Sequence, residues 1–323
     1  MYQYTITQWL FFFYFYCFFG WVFESTYVSL KNRKFVNRGF MRGPFLPIYG
    51  SGAIMMLVVS MPFQKNVVLT YLAGCVGATV LEFVTGTVME ALFKVRYWDY
   101  SNQKFNYKGH ICLSSTIAWG FLTIFMTGFL HKGVEHVVMA LPQTILSVLT
   151  MVITLYITVD FTLSFKAAMD LRNLLIGLEK AREEMERIQK RLDVIIAVAG
   201  DELESRRLER QERTENLLEG LEIRRAERHE RMDDLMEDLE EKFDSIRGRI
   251  RTGSTEFAED VEEELIELRS KYFVEKEHRL QFKRIKDIYQ RSLLRGNPSM
   301  RSEKFEEALE ELKKAANEKL HKK

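Results

Sequence analysis

Seven ionisable side chains in the first third of the chain have types that could do chemistry, and most lie within or beside long apolar stretches. They are Glu24, Arg38, Arg42, Glu82, Glu90, Asp99 and His110. An ionised side chain in hydrocarbon is costly, so such residues usually face the protein interior, a partner or water. Guanidinium groups can hold a phosphate with two donors, and carboxylates can bind a cation or accept a proton. The set therefore predicts a polar pocket among membrane helices.

The floor of this pocket is expected in the stretch from Asn37 to Gly50, which reads NRGFMRGPFLPIYG. Pro44 and Pro47 remove backbone donors, and irregular chain at membrane depth must be sheltered by protein or line a polar cavity. Loop charge alone would explain Arg38. We expect Arg42, directly before Gly43, to be the stronger candidate for binding.

The third apolar stretch carries a regular ridge of small and acidic residues, one at every fourth position. The ridge consists of Gly74, Ala78, Glu82, Gly86 and Glu90. Small residues at this spacing let another helix approach closely. The two glutamates either make buried hydrogen bonds within that packing or line the pocket, and the sequence leaves both open.

The loop KVRYWDYSNQKFNYKGH, residues 94–110, also has two interpretations. Its aromatic residues suit the headgroup level of a membrane, where Trp and Tyr are enriched. Asp99 lies among basic residues, however, and His110 leads directly into the next apolar stretch. A histidine at that place is more often a hydrogen-bonded residue at a helix start than a catalyst.

The elements that must position these residues are apolar helices, which predicts an all-α fold. A spanning helix needs about 20 apolar residues. Five stretches qualify as spans: Ile6 to Leu30, Pro44 to Met61, Val67 to Phe93, Ile111 to Leu130 and Val137 to Phe165. The first is too long for the core of a signal peptide, so we interpret it as a span.

Loop charge predicts the orientation of these spans. The basic residues concentrate after the first and third spans, whereas the other two connections hold only Lys65 and Lys132. Basic loops stay in the cytoplasm, so the N-terminus should lie outside and the C-terminal region inside.

Charge also divides the chain into two predicted domains. Residues 1–165 contain eleven basic and six acidic side chains, and residues 166–323 contain 35 and 39. The first domain is expected to be a multipass membrane domain and the second a charged, helical, partly coiled-coil cytoplasmic domain.

A coiled-coil seam is predicted early in the second domain, with apolar residues alternating four and three positions apart. It comprises Leu174, Leu178, Ala181, Met185, Ile188, Leu192, Ile195 and Ala199, and it returns with Met232, Leu235, Leu239, Phe243, Ile246 and Ile250. Breaks are expected near Gly200 and Gly253, a helix from about Thr255 to Leu294, and a final helix from near Ser302. The region could be an oligomeric stalk, a folded-back bundle or a docking platform.

Several function classes are unlikely from the residues present. Acidic and basic residues interleave in the second domain, which does not suit nucleic-acid binding. Cys17, Cys75 and Cys112 form no CxxC pair, so neither a disulfide framework nor a zinc site is expected. We find no phosphate loop of the GxxxxGK[ST] type, no HExxH and no nucleophile elbow. The sequence therefore predicts no cofactor or metal and favours a protein that is not an enzyme.

Four motifs together resemble a bacterial family. They are GWVFES at 20–25, NRGFMRGPFLPIYGSG at 37–52, the acids Glu82 and Glu90, and WDYS with FNYKGHICL within 98–113. The ordered set is similar to the family of putative ABC-transporter permeases of the CmpB type. The resemblance implies a multipass protein of the bacterial inner membrane. It does not extend to the charged second domain.

Three functions remain as hypotheses. The chain is either a permease-like or transport-associated component served by a separate ATPase or other cytoplasmic protein, or a lipid-headgroup binding protein or enzyme of the inner leaflet, or a membrane-anchored scaffold or sensor. In each case the lipid bilayer is a partner, and the coiled coil could join copies of the chain. The resemblance places transport first; the residues alone do not separate it from lipid binding.

Overall fold

The computed structural model describes residues 4–204, 236–244, 255–282 and 287–318. The chain divides into two compact units. The first, which we call the membrane unit, comprises Met1–Asn173 with Ile285–Lys323, and the second comprises Leu174–Arg284. The expected domain boundary at residue 165, where the membrane should end, stays a prediction.

Helices make up nearly all of the described structure. They are α1 (Ile6–Asn32), α2 (Pro47–Ser60, followed by a 3₁₀ turn at Met61–Phe63), α3 (Val67–Phe93), α4 (Leu113–Phe125, followed by a π-helical turn at Met126–Leu130), α5 (His131–Met139), α6 (Gln143–Glu204), α7 (236–244), α8 (Thr255–Phe282), α9 (Ile288–Gly296) and α10 (Glu306–Glu318). The strands β1 (Asn106–Tyr107) and β2 (Ile111–Cys112) form one short antiparallel hairpin. The predicted all-α class is confirmed.

The ends of the long helices follow from local sequence. Thr5 and Gln8 form a capping box at the start of α1, and the Asn66 side chain accepts hydrogen bonds from the first turn of α3. Such caps satisfy backbone N–H groups that have no partner within the helix. Arg33 and Lys94 end α1 and α3 in the left-handed conformation, with φ of 51° and 62°.

Within the part of the chain that the structure describes, four helical segments are long and apolar enough to cross a membrane: Ile6–Asn32, Val67–Phe93, Leu113–Met139 and Gln143–Ile195. The second predicted span corresponds to the shorter apolar helix Pro47–Phe63. It begins at Pro47 rather than Pro44, because proline is favoured in the first turn of a helix, where its missing N–H costs nothing. The count of five spans stays a prediction.

The predicted boundary between the fourth and fifth spans was wrong. Helical structure continues through His131 to Met139, and the break comes at residues 140–142. The polar residues of this segment and Gly133 predict a loop, but the segment contains no proline and the helix accommodates the glycine. Pro142 supplies the break, since proline cannot continue the preceding helix.

The small residues of α3 bring α4 close. At Gly74 an added Cβ would lie 2.2 Å from Thr123 Oγ1, and at Gly120 it would lie 2.5 Å from Cys75 Sγ. Gly86 likewise faces the His110 ring. The predicted packing ridge is therefore present, with Glu82 buried on it.

In the second unit, α6, α7 and α8 share one apolar core. The buried members are Met185, Ile188, Leu192, Ile195, Leu239, Phe243, Leu265 and Tyr272. Much of the predicted seam of α6 is thus covered by other helices of the same chain. Leu175 is fully buried, while Leu174, which was assigned to the seam, is only half-buried. Met232, Leu235, Ile246 and Ile250 lie outside the described residues.

Three predicted boundaries in the second domain need comment. The break near Gly200 was wrong, because α6 continues to Glu204. Gly253 lies outside the described residues. The helix expected from Thr255 to Leu294 is instead two helices, because extended backbone at Asp287 begins α9, where its side chain caps the first turn.

Candidate functional site

The predicted site residues lie at one end of the membrane unit, which we call the loop face. It is formed by residues 33–46, 94–112 and 297–305. Instead of one pocket, the structure places the seven residues in separate clusters.

The first cluster is an ion pair between the end of α1 and the following loop. Arg38 Nε donates to Glu24 Oε1 at 3.3 Å, and the Tyr49 hydroxyl donates to Glu24 Oε2 at 2.6 Å. The Arg38 backbone N–H donates to Ser25 Oγ at 3.1 Å. The Arg38 and Glu24 side chains are only 14% and 24% exposed. Arg38 is therefore more than a loop charge.

The remaining nitrogens of Arg38 bind a distant part of the chain. Nη1 donates to Asn297 Oδ1 at 3.0 Å and to the Gly296 carbonyl at 3.3 Å, and Nη2 donates to Ser299 Oγ at 3.3 Å. Asn297 in turn donates to the Gly39 carbonyl at 2.8 Å. The loop after α9 thus covers the guanidinium with neutral oxygen atoms.

The second cluster surrounds Glu82, which is only 7% exposed. The Tyr100 hydroxyl donates to Oε1 at 2.9 Å and Trp119 Nε1 donates to Oε2 at 3.0 Å, with Ser115 Oγ 3.3 Å from Oε2. Among the described residues no basic side chain forms an ion pair with this carboxylate. Neutral donors alone stabilise Glu82 within an apolar helix.

Tyr100 belongs to the second cluster and is also influenced by the charge of Glu24 in the first. Burial raises the pKa of its phenol well above the ordinary value, and the negative charges of Glu82 and Glu24 raise it further. An ionised phenol would be destabilised by both carboxylates, so Tyr100 stays protonated and remains a donor.

The third cluster joins Glu90, Arg96 and His110. Arg96 Nε donates to Glu90 Oε1 at 2.8 Å, and His110 Nε2 lies 3.0 Å from Glu90 Oε2. His110 is buried, and Trp98 Nε1 donates to its carbonyl at 3.0 Å. Both oxygens of Glu90 are therefore occupied by the chain's own groups.

Asp99 shapes the 94–112 loop. Its Oδ1 accepts from the Ser101 backbone N–H at 2.9 Å and from the Ser101 hydroxyl at 2.5 Å, and Oδ2 lies 3.7 Å from Arg301 Nη1. Burial acts to raise the pKa of Asp99, but these hydrogen bonds and the charges of Arg96 and Arg301 outweigh it and lower the pKa.

Arg42 stands apart from the other predicted residues. It is exposed, its guanidinium lies over the Tyr289 ring at 5.4 Å, and it forms no ion pair with any described residue. The next backbone N–H, that of Gly43, donates to Asp160 Oδ2 at 2.8 Å. At Gly43 an added Cβ would lie 2.4 Å from the Tyr156 hydroxyl, so this turn requires glycine.

Sequence reasoning missed the segment from Gly296 to Glu303. Arg301 exchanges two backbone hydrogen bonds with Arg96, at 2.7 and 3.0 Å. The Ser302 hydroxyl donates to the Lys94 carbonyl at 2.7 Å, and Arg96 pairs with Glu303 at 3.1 Å. The sequence signalled only a helix break here, at Gly296 and Pro298. The aromatic donor Tyr100 was visible in the sequence but was assigned to the membrane interface.

The clusters do not form a metal site. Among the described residues no group of three or more His, Cys, Asp or Glu side chains could hold a metal ion. All three cysteines are free.

The comparisons with known proteins agree with the motifs. Comparison with curated proteins and with solved structures finds no match. Residues 11–165, just under half of the chain, match the sequence profile of a family described as Putative ABC-transporter type IV. Together with the apolar helices, this match indicates a membrane protein associated with transport. The family that the motifs predicted is therefore the one whose profile the membrane region of the chain matches.

Proposed function

We propose that the chain is a permease-like or transport-associated membrane component whose polar site opens to the cytoplasmic leaflet and whose energy comes from a separate ATPase. The observation that carries this proposal is the environment of Glu82. Its carboxylate lies in the middle of an apolar helix and is held by Tyr100 and Trp119, with no basic partner among the described residues.

This environment suits the passage of a cation or a positively charged group. The neutral donors orient the carboxyl group, and a cation would supply the charge partner that it lacks among the described residues. Tyr100 lies within the electrostatic reach of both Glu82 and Glu24, so the polar groups extend from the middle of α3 toward Arg38. A polar route of this kind would lead a ligand from the loop face into the membrane.

Five crossings are part of the proposal. Ser299 contacts both Arg38 and Tyr97, so α1 and α3 end at the same face. The chain must return between them, which supports a crossing by α2. With its 3₁₀ turn, α2 is about 25 Å long, slightly shorter than the hydrocarbon core of a typical bilayer.

The location and orientation follow the loop charges. We assign the chain to a bacterial inner membrane, with the N-terminus outside and residues 166–323 in the cytoplasm. Labelling of single cysteines introduced at Lys65 and Lys104, with a reagent that does not cross membranes, tests this orientation: only the cysteine at position 65 should react in intact cells.

The test of the transport proposal is purification of the full chain from its native membrane, followed by reconstitution into vesicles. We expect an ATP-hydrolysing subunit to accompany the chain, and ATP-dependent movement of a cationic fluorescent dye that Glu82→Gln abolishes. Tyr14→Phe is the matched control, because its hydroxyl contacts Thr154 at 2.8 Å, away from the loop face. Absence of both an ATPase and dye movement would overturn the proposal.

Arg42 favours a second candidate, which is binding of an anionic lipid headgroup, with or without chemistry on it. Its guanidinium is exposed and stacks on Tyr289. Arginine in this state can present two donors to a phosphate. In nanodiscs, Arg42→Ala should lower the phosphatidylglycerol retained by the purified chain, whereas Lys132→Ala should not. Unchanged retention in both Arg42→Ala and Glu82→Gln would exclude this candidate.

The scaffold candidate depends on the second unit. A homo-oligomer through the α6 seam would have to displace α7 and α8, because Leu239, Phe243 and Tyr272 pack against that seam. We therefore place a scaffold or sensor third. Deletion of Leu171–Lys323 without any change in phenotype would rule it out.

A further inference from the structure

A second polar cluster lies at the opposite end of the membrane unit, where the proposed function assigns nothing. We call this end, with Tyr4 and α5, the far end. Helix α1 has 27 residues, so Tyr4 and Arg33 lie about 40 Å apart along it. At the far end, His131 is 1% exposed and contacts two tyrosine hydroxyls.

The geometry defines an ordered chain of hydrogen bonds. The Tyr16 hydroxyl lies 2.9 Å from His131 Nδ1, and the Tyr4 hydroxyl lies 3.0 Å from His131 Nε2. The same Tyr4 hydroxyl donates to Glu135 Oε1 at 2.6 Å. Four titratable groups thus form one continuous line that ends at a half-exposed carboxylate.

Donor counting fixes the direction of this chain. A phenol carries one hydrogen, and Tyr4 gives its hydrogen to the Glu135 carboxylate. The Tyr4 oxygen must therefore accept from His131, which places a hydrogen on Nε2. In neutral imidazole the other nitrogen, Nδ1, is then an acceptor, and Tyr16 donates to it.

The same contacts can hold one more proton. A proton that reaches the Tyr16 oxygen can be passed along the line in the direction of the donors. Tyr16 gives its own hydrogen to Nδ1, Nε2 gives its hydrogen to Tyr4, and Tyr4 gives its hydrogen to Glu135. Glu135 then donates to Tyr4, Tyr4 donates to Nε2, and Tyr16 keeps the hydrogen that arrived. If instead the proton stays on His131 as imidazolium, Nε2 donates to Tyr4 and Nδ1 donates to Tyr16. In both states one proton is added, Nδ1 becomes a donor, and the Tyr16 hydroxyl turns from donor to acceptor.

The surroundings favour a confined proton rather than a larger ligand. The titratable groups that face His131 among the described residues are Tyr4, Tyr16 and Glu135. Helix α1 adds Phe12, whose ring centroid lies 4.9 Å from that of His131. Helices α2 and α6 add apolar side chains to the same core: Ala53, Met56, Leu57 and Leu146.

The backbone before His131 is also unusual. A π-helical turn covers Met126–Leu130 and ends directly before His131. Such turns insert an extra residue into a helix, change the direction of the following side chains and occur frequently at functional sites. Here the turn determines where His131 meets α1.

We propose that Tyr16, His131, Tyr4 and Glu135 form a proton-binding relay at the far end of the membrane unit, with Glu135 as the group that receives the relayed proton. The proton is the ligand, and its arrival reverses the hydrogen bond between α1 and His131. This inference stands independently of transport and of the loop face.

Nitrogen NMR of histidine-labelled full-length chain in nanodiscs tests the relay, because it shows which imidazole nitrogen carries hydrogen. The chain has six histidines. His131→Asn identifies the signal; if that variant does not fold, substitution of the other histidines identifies it by elimination. At about pH 8 we expect hydrogen on Nε2 alone, and on acidification to about pH 5 we expect hydrogen on Nδ1.

The variants separate a relay from simple packing. Tyr4→Phe and Glu135→Gln should each give a mixture of both neutral forms at the higher pH, because the chain of donors is no longer fixed. Tyr14→Phe should leave the single form unchanged. The proposal is overturned if Nδ1 carries hydrogen at the higher pH, if Nδ1 stays without hydrogen on acidification, or if Tyr4→Phe and Glu135→Gln keep a single form.

Discussion

The two ends of the membrane unit handle buried polar groups in different ways. At the loop face, Arg38 pairs with Glu24 and is covered by a loop about 260 positions away in the chain. At the far end, two tyrosine hydroxyls contact the ring nitrogens of His131. Tyr16 and Glu24 are only eight residues apart on α1, about 12 Å along its axis. The same helix therefore carries a fixed ion pair and, close to it, a hydrogen-bond network whose donors and acceptors can exchange roles.

The difference separates a polar cluster with fixed hydrogen-bond roles from one whose groups can exchange the roles of donor and acceptor. The Arg38 guanidinium cannot lose its proton at any ordinary pH, so it always donates and its partners always accept. Tyrosine hydroxyls and imidazole can each donate or accept. The loop face is therefore suited to fixed binding, and the far end to proton movement.

The comparison predicts the largest loss of stability for Arg38→Ala. Removal of Arg38 leaves Glu24 buried without its cation and frees Asn297 and Ser299, so we expect a loss of about 3 kcal/mol in the free energy of unfolding. Thermal unfolding in one detergent measures it. Because Glu24→Gln removes the uncompensated charge, the double variant should recover part of the loss; an equal or larger loss would contradict the ion-pair explanation.

The second largest loss of stability is expected in the loop after α9, which covers the Arg38 guanidinium. Asn297 is 2% exposed and donates to the carbonyls of Gly39 and Leu293. Asn297→Ala leaves both acceptors without that donor, so we expect a loss of about 2 kcal/mol. The release of the C-terminal segment can be followed by limited proteolysis. Asn317→Ala, at an exposed position of α10, is the control and should change neither measurement.

We expect a smaller loss of stability when a hydrogen bond is removed at the far end. Tyr16→Phe removes one hydrogen bond, that to His131, and keeps the packed ring, so the expected loss is about 1 kcal/mol. Tyr27→Phe is the matched control on the same helix, because Tyr27 is 57% exposed. Thermal unfolding of both variants measures the difference. A loss equal to that of Arg38→Ala would remove the contrast between the two ends.

Sequence patterns singled out Glu24, Glu82 and Glu90 because these acids interrupt apolar runs. The partners of Arg38 in the loop after α9, Asn297 and Ser299, were not predicted because they lie far away in the chain. They belong to a polar, charged region in which one more polar side chain forms no recognisable pattern. The far end was missed for another reason. Tyr4, Tyr16 and His131 are ordinary residues at membrane ends, and only folding shows that their hydroxyls and ring nitrogens meet.

The fold shows the same contrast between features that local sequence predicts and features that depend on distant contacts. Apolar length predicted the helices α1 and α3 closely, because that signal is local. The continuation of α4 through the π-helical turn into α5 was not predicted, because a short polar segment with a single glycine and no proline can be loop or helix. The core of α6, α7 and α8 needed tertiary contacts, since a coiled-coil seam does not identify which helices cover it.

The pH dependence of the loop face should come partly from Asp99. Its pKa is lowered below the ordinary value of 3.8 in the folded protein. A lowered carboxyl pKa contributes stability that is present above the unfolded value and is lost as pH falls through the folded value. Stability should therefore fall below about pH 4, and the Asp99→Asn variant should show a smaller fall. Thermal unfolding across that range measures it, and an identical fall in the variant would exclude Asp99 as a cause.

The smallest effect is expected at the exposed edge of the covering segment. Arg301 is 59% exposed and lies 3.7 Å from Asp99, so Arg301→Ala should cost no more than about 0.5 kcal/mol. Its two backbone bonds to Arg96 do not depend on the side chain. The neighbouring Met300 is fully buried, and Met300→Ala should cost about 2 kcal/mol or more through the cavity it leaves. Thermal unfolding of the two variants tests whether burial and backbone pairing, rather than the charge of Arg301, hold the segment 297–305 in place. A larger loss of stability for Arg301→Ala than for Met300→Ala would contradict that explanation.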